Sequence, residues 1–309
     1  MADIVNKSAR SALTSRFGVS GQWEQFGLPP QARRWSIRKW RCAEWRNVMG
    51  GYVEIGDLNT WYDEQGTGDA LVLLHGGLCT NATWEPQLAE FGARFRVIAP
   101  ERRAHGHTAD LAGPLSYDDM AADTVGFMDT VVGGAAHIVG WSDGGIVGLL
   151  VAMARPDLVR KLVVISANFD TTGTPPEIVA HMASSTAESD DWTMLRSLYE
   201  AVSPDGPGHW AVVFAKFQQM ATTQPAIPLA DLGRISAPTL VIVGDDDMIT
   251  FEHTSKLFGA IPNAELAVVP GTSHLLTMEK PGLVNRIVLD FLEKEPPPTM
   301  MPLRRAAAH

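Results

Sequence analysis

Two patterns of apolar residues alternate along the chain after Met49. The first is short and unbroken: Ala70–Leu74 (ALVLL), Arg96–Pro100, Ala136–Trp141, Leu162–Ser166, Pro238–Val243 and Leu266–Val269. These runs are rich in Val, Ile and Leu and lack polar alternation, which predicts strands covered on both faces. Tyr52–Ile55 and Thr60–Tyr62 predict a shorter pair joined by a hairpin at Gly56-Asp57. The second pattern has helical spacing. It predicts helices over Trp84–Phe91, Tyr117–Val132, Glu252–Phe258 and Leu283–Leu292. Gly145–Ala154 is apolar all round, so it predicts a buried helix ending before Pro156. Strands alternating with helices imply the α/β class: a mostly parallel, doubly wound sheet.

Residues 170–235 break the alternation. Trp192, Leu198, Tyr199, Trp210, Phe214, Phe217 and Met220 fall there, several at helical spacing. This stretch predicts a helical cap inserted over one end of the sheet. The core domain is expected over 49–295, with a Pro-rich flexible tail at 296–309.

Composition then separates residues 1–48 from the rest. They hold nine Lys/Arg against three Asp/Glu, a local +6 within a chain of net −10, and four of the nine tryptophans. The sign of the charge changes where the strand pattern begins. Residues 1–48 are therefore expected to lie outside the catalytic core, either as upstream sequence before a start at Met49 or as a basic arm for an anionic surface. The acidic balance of the remainder argues against a nucleic-acid binder. The longest apolar run is too short to span a bilayer, and the N-terminus lacks the apolar stretch of a secretory signal. Cys42 and Cys79 are the only cysteines, so no disulfide framework is implied and a cytoplasmic location is expected.

Candidate chemistry falls at the carboxyl ends of the expected strands, where open α/β sheets place their sites. Ser142 in GWSDGG has Gly140 and Gly144 at −2 and +2. A sharp strand-to-helix turn brings those two positions together and leaves the serine hydroxyl exposed. His274 follows a strand and a Pro-Gly turn, where an imidazole can serve as a base. The run Asp245-Asp246-Asp247 follows another strand, and one of its carboxylates can orient a histidine. His75-Gly76-Gly77 follows a fourth, and glycine lets a backbone N–H approach a developing oxyanion. His75 itself reads as structural. The pair His105/His107 reads as a loop feature, and no metal or cofactor is expected.

Taken in the order Ser, Asp, His, these motifs resemble the α/β-hydrolase superfamily, and the resemblance covers about residues 51–292. It implies Ser142 as nucleophile, Asp247 as the acid and His274 as the base. Asp246 and Asp170 remain alternative acids. It also implies an oxyanion hole from the amides of Gly77 and Asp143, with Leu78 and Trp141 beside the substrate. The cap is similar to that of lipase, esterase and non-haem haloperoxidase-like members. A serine nucleophile implies acyl transfer on a small ester-like substrate (ester, lactone, thioester or amide). Carbon–carbon hydrolysis of diketones, a perhydrolase-like activity and a non-catalytic receptor on the same fold are the alternatives. The loop usually reading D-x-x-G-x-G-x-S is ERRAHGHT here, with Glu101 for Asp and Ala104 for Gly. The Asp143 carboxylate has two readings: it lines the pocket, or it only caps the following helix.

A chain truncated to begin at Met49 is expected to express in soluble form and to keep its turnover of p-nitrophenyl esters. Loss of either in that truncation would show that residues 1–48 pack on the core.

Overall fold

The computed structural model describes residues 49–294 and 300–301. The basic segment 1–48 and all but two residues of the expected tail lie outside the described residues. The core is an eight-stranded sheet: β1 (Met49–Ile55), β2 (Leu58–Gln65), β3 (Ala70–Leu74), β4 (Arg96–Pro100), β5 (Ala136–Trp141), β6 (Val159–Ile165), β7 (Thr239–Gly244) and β8 (Ala264–Val269). Their spatial order is β1-β2-β4-β3-β5-β6-β7-β8. The β1–β2 and β2–β4 pairings are antiparallel, and every later pairing is parallel. The core helices are α1 (Glu85–Gly92), α2 (Tyr117–Phe127), α3 (Asp143–Ala154), α7 (Phe251–Ala260) and α8 (Pro281–Glu293). Between β6 and β7 lie three more: α4 (Pro176–Ser184), α5 (Thr193–Val202) and α6 (Trp210–Thr223).

The parallel strands supply both halves of the core by simple alternation. Leu71 and Leu73 face Trp84, Leu88, Phe91, Val288 and Leu292 of the α1/α8 layer. Val72 and Leu74 face Met120, Ile146 and Leu149 of the α2/α3 layer. Successive strand side chains point to opposite faces, so an unbroken apolar run is what a doubly covered strand requires. Every residue of β5 is buried. The edge strand β8 is mostly half-exposed.

Several boundaries differ from the sequence pattern, each for a non-local reason. β2 runs on to Gln65 because Tyr62–Gln65 pair with Val97–Pro100 of β4. β6 starts at Val159 because that residue pairs with Ala136 of β5. The helix α3 starts at Asp143, ahead of its two glycines, because close contact with β3 requires glycine there while the helix continues through it.

The insertion is the expected helical cap. Its two ends are tied together where they leave the core: Asp170 and Ala226 form an isolated bridge, and the Ile227 N–H donates to the Phe169 carbonyl at 2.8 Å. Its far side is fastened by charge. Asp110, in the loop after β4, accepts from Lys216 Nζ at 2.6 Å and pairs with His209 Nε2 at 2.8 Å, both from the cap. Lys216 also donates to the Leu111 carbonyl at 2.7 Å. The Asp110 side chain is only 5% exposed, so these bonds are poorly screened by solvent.

Asp110→Ala is expected to lower the stability of the chain by about 1–3 kcal/mol, because it strands two cap donors. Limited proteolysis within 176–223 should accelerate before the core is cut. An unchanged denaturation midpoint and digestion pattern would show that this contact does not hold the cap.

Candidate active site

The site is built where β3, β5, β7 and β8 end. β5 turns into α3 through a single residue, Ser142, held at φ 55° and ψ −122°. Side chains other than hydrogen rarely occupy that region, so the backbone there is strained. The Ser142 N–H donates to the Ile165 carbonyl at 2.8 Å, and the Ser142 carbonyl accepts from Gly145 N and Ile146 N. A methyl group on Gly140 would meet the Gly144 carbonyl oxygen at 2.2 Å, and one on Gly144 would meet the Leu74 carbonyl oxygen at 2.1 Å. The two glycines are thus the condition for bringing strand and helix this close. The helix begins at Asp143, and its first N–H groups have no intrahelical acceptor.

His274 and Asp247 meet Ser142 from the other side. His274 Nε2 lies 3.0 Å from Ser142 Oγ, and Nδ1 lies 2.9 Å from Asp247 Oδ1. The Asp247 carboxylate is fully buried but well supplied with donors. Ile249 N donates to Oδ1 at 3.0 Å, and Ser166 Oγ donates to Oδ2 at 2.5 Å. Burial opposes its charge. The hydrogen bond and charge of His274, with those two donors, outweigh burial and hold the carboxyl below its ordinary value. The neighbouring acids turn elsewhere. Asp245 accepts from Thr272 N at 3.0 Å, which ties the His274 loop to the end of β7, and Asp246 is exposed. Asp170 accepts from Thr172. Trp141 is buried, and its indole N–H donates to the His274 carbonyl at 2.9 Å.

The loop after β3 packs against the two residues that flank the serine, Gly76 on Trp141 and Gly77 on Asp143. Gly77 N–H finds no protein acceptor among the described residues. Leu78 is buried and held at φ 54°. A methyl on Gly77 would meet Asp143 Oδ2 and Phe217 Cε2, each at 2.5 Å. Phe217 comes from α6, so an aromatic ring of the cap abuts this glycine. The Asp143 carboxylate does not cap α3. It is buried, accepts from Tyr117 Oη at 3.0 Å through Oδ1, and leaves Oδ2 without a partner. Burial pushes its carboxyl up, against the opposing influence of Arg102, Tyr117 and His274. His75 is fully buried, and burial together with the charge of Arg102 holds its ring well below the ordinary imidazole value.

The loop that departs from the usual pattern is strained where glycine is replaced: Ala104 sits at φ 63°. Glu101 is fully buried and accepts from Asn81 N at 3.3 Å, His107 N at 2.6 Å and His107 Nδ1 at 2.9 Å. His105 turns instead to the Arg103 carbonyl, so the two histidines have different partners. Ser166, Tyr117, Arg102 and Phe217 were not evident as site residues from the sequence. Ser166 directly follows the run LVVI, and Arg102 follows RVIAPE, so a polar residue just past a buried strand was the available signal. Tyr117 and Phe217 carried none beyond their helical apolar spacing.

Comparison with known proteins agrees with this architecture. A family model described as the alpha/beta hydrolase family matches residues 71–287. The (E)-2-((N-methylformamido)methylene)succinate hydrolase of Acinetobacter baylyi is 26% identical over 249 residues, spanning 76% of this chain and 94% of that protein. Est816, described as an N-acyl homoserine lactone degrading enzyme, superposes with a TM-score of 0.62 at 26% identity, over 78% of this chain and 100% of its own. The carboxylesterase CesB of Bacillus subtilis has the same fold, with a TM-score of 0.65 at 23% identity over 85% of this chain and 96% of its own.

The strain at position 142 makes a thermodynamic prediction. Ser142→Gly relieves the left-handed backbone at the cost of a more flexible unfolded chain. It is expected to raise stability by about 1 kcal/mol, a melting shift of a few degrees, while turnover disappears. A lower melting temperature would mean that the serine hydroxyl stabilises the fold more than its backbone strains it.

Proposed function

The chain belongs to the alpha/beta hydrolase family and is a serine hydrolase of small molecules, and from that premise we propose that it cleaves carboxylic esters, cyclic esters included, through an acyl-enzyme on Ser142. The observation that carries this reading is the continuous contact from Ser142 Oγ through the His274 ring to the buried Asp247 carboxylate, 3.0 Å and then 2.9 Å. His274 Nε2 takes the hydroxyl proton as Ser142 Oγ attacks the carbonyl carbon. Asp247 fixes the ring and stabilises the imidazolium. The oxyanion is received by the N–H groups of Gly77 and Asp143, the second of which heads α3 and benefits from its dipole. The imidazolium then protonates the departing alcohol. The ring, now neutral, takes a proton from water as the water oxygen attacks the acyl carbon, and passes it to Ser142 Oγ as the acyl–Oγ bond breaks and the acid departs.

An apolar acyl group is favoured by Phe217 against Gly77, with Trp192 next to it at a ring-centroid distance of 6.3 Å. The buried Asp143 carboxylate beside the same glycine disfavours an anionic acyl group. The 26% identity to the lactone-degrading Est816 supports placing lactones in the test set.

The test is a panel of p-nitrophenyl esters, lactones and diketones assayed on wild type and Ser142→Ala, with fluorophosphonate labelling of both. Wild type should label and turn over neutral esters fastest, and Ser142→Ala should lose on the order of 10⁶ in kcat. Asp247→Asn should lose on the order of 10³–10⁴, with Asp245→Asn and Asp246→Asn within tenfold of wild type. Diketone cleavage outrunning every ester would replace the ester reading, and absence of both labelling and turnover would favour a receptor.

A further inference from the structure

A buried arginine sits behind the oxyanion loop, and the catalytic scheme above does not use it. Arg102 is 3% exposed. Its guanidinium contacts two carbonyl oxygens rather than a carboxylate. Nη1 donates to the His75 carbonyl at 2.5 Å, and Nη2 donates to the Gly76 carbonyl at 3.2 Å. Burying a cation against neutral carbonyls is costly. The Asp143 carboxylate offsets part of that cost electrostatically without touching the guanidinium. Nothing in the packing of an apolar core calls for an arginine here.

The identity of the second carbonyl matters. The Gly76 C=O and the Gly77 N–H belong to one planar peptide group. Drawing electron density toward the oxygen makes the N–H of the same group a stronger donor, as in any chain of cooperative hydrogen bonds. A second donor reaches the same oxygen. The Arg102 backbone N–H donates to His75 Nε2 at 3.2 Å, so the proton of the neutral ring is on Nδ1, and Nδ1 lies 2.8 Å from the Gly76 oxygen. The Gly76 carbonyl therefore accepts from a guanidinium and an imidazole on one side of the peptide, while the Gly77 N–H points the opposite way across the trans peptide, beside Asp143, with no acceptor among the described residues.

We propose that Arg102 is a positioning residue that, with His75, polarises the Gly76–Gly77 peptide group and strengthens the Gly77 N–H as donor to the oxyanion. This rests on the reading of Gly77 as an oxyanion donor. Negative charge developing on the substrate carbonyl oxygen is then stabilised through the peptide by a full positive charge that never meets the substrate. The arrangement also fixes the loop: the two-pronged contact holds consecutive carbonyls of residues 75 and 76, just ahead of the left-handed Leu78. The effect should be selective for the transition state, because the ground-state carbonyl carries little charge.

The test compares Arg102→Gln, Arg102→Lys and, as a control, Arg103→Gln. Arg103 is the next residue, and its side chain pairs with Asp123 instead. Two quantities are measured on a p-nitrophenyl ester and on a trifluoromethyl ketone, which forms a tetrahedral adduct with the serine. Arg102→Gln is expected to lower kcat by about ten- to a hundredfold, less than outright removal of an oxyanion donor. KM should stay within threefold, and ketone affinity should fall by the same factor as kcat/KM. Arg102→Lys keeps the charge without the fork and should lose less than Arg102→Gln. Arg103→Gln should change neither quantity beyond twofold. A folded Arg102→Gln with kcat within twofold of wild type overturns the proposal. So does a loss of kcat with undiminished ketone affinity. If Arg102→Gln does not fold, Arg102→Lys decides on the same pair of measurements, with unchanged values again overturning it. Failure of the wild type to label with fluorophosphonate would instead remove the serine-hydrolase site on which the proposal rests.

Discussion

The structure turns on one close approach, that of α3 to the ends of β3 and β5. At Gly140 and Gly144 the backbone atoms of strand and helix are so near that a single added methyl would lie 2.1–2.2 Å from a carbonyl oxygen. Because the helix starts there, its N-terminus points at the site and Ser142 is forced into a left-handed turn. Because β3 lies under the same helix, the loop carrying Gly77 is delivered to the same place. The nucleophile candidate, its proposed oxyanion donors and the helix dipole thus share a single geometric cause. Strain of about 1–3 kcal/mol at Ser142 is tolerable because the buried, apolar surface that α3 presents after Asp143 over-determines the turn.

Two buried charges flank that turn, and the fold treats them differently. Asp247 is a carboxylate given donors: Ser166, Ile249 and the His274 ring all point toward it. It remains ionised, as orientation of an imidazolium requires. Arg102 is a cation given acceptors that are peptide carbonyls, so its charge is carried into the backbone rather than neutralised by a carboxylate. Between them, Asp143 has one oxygen held by Tyr117 and the other free beside Gly77. Each charge lies where desolvation makes it effective, and each is held by groups that cannot relax away.

The cap completes the site by contact rather than chemistry. Phe217 reaches Gly77, while Trp192, Phe214 and Trp210 pack behind it edge-on or tilted, at ring-centroid distances of 5.2–6.3 Å. The cap is anchored through paired backbone at its two ends and through Asp110 at its far side. No helix among the described residues is long and apolar enough to cross a membrane.

The sequence by itself determined the parallel sheet, the interruption by a helical cap and the places where chemistry could sit. Those features are local: unbroken apolar runs, helical spacing, and glycines at −2 and +2 of one serine. It could not choose among Asp245, Asp246 and Asp247 without appeal to a resemblance, because a run of three carboxylates has no internal distinction. Only the tertiary structure separates them, by turning Asp247 inward to His274, using Asp245 to hold Thr272 and leaving Asp246 in solvent. The same holds for the length of β2, set by its pairing with β4, and for the Asp143 carboxylate, turned to Tyr117 instead of capping its helix. Arg102 and Ser166 were visible only as polar residues after apolar runs. Their significance depends on carbonyls and carboxylates 26 to 81 residues away in the chain, and distances of that kind are created by folding alone.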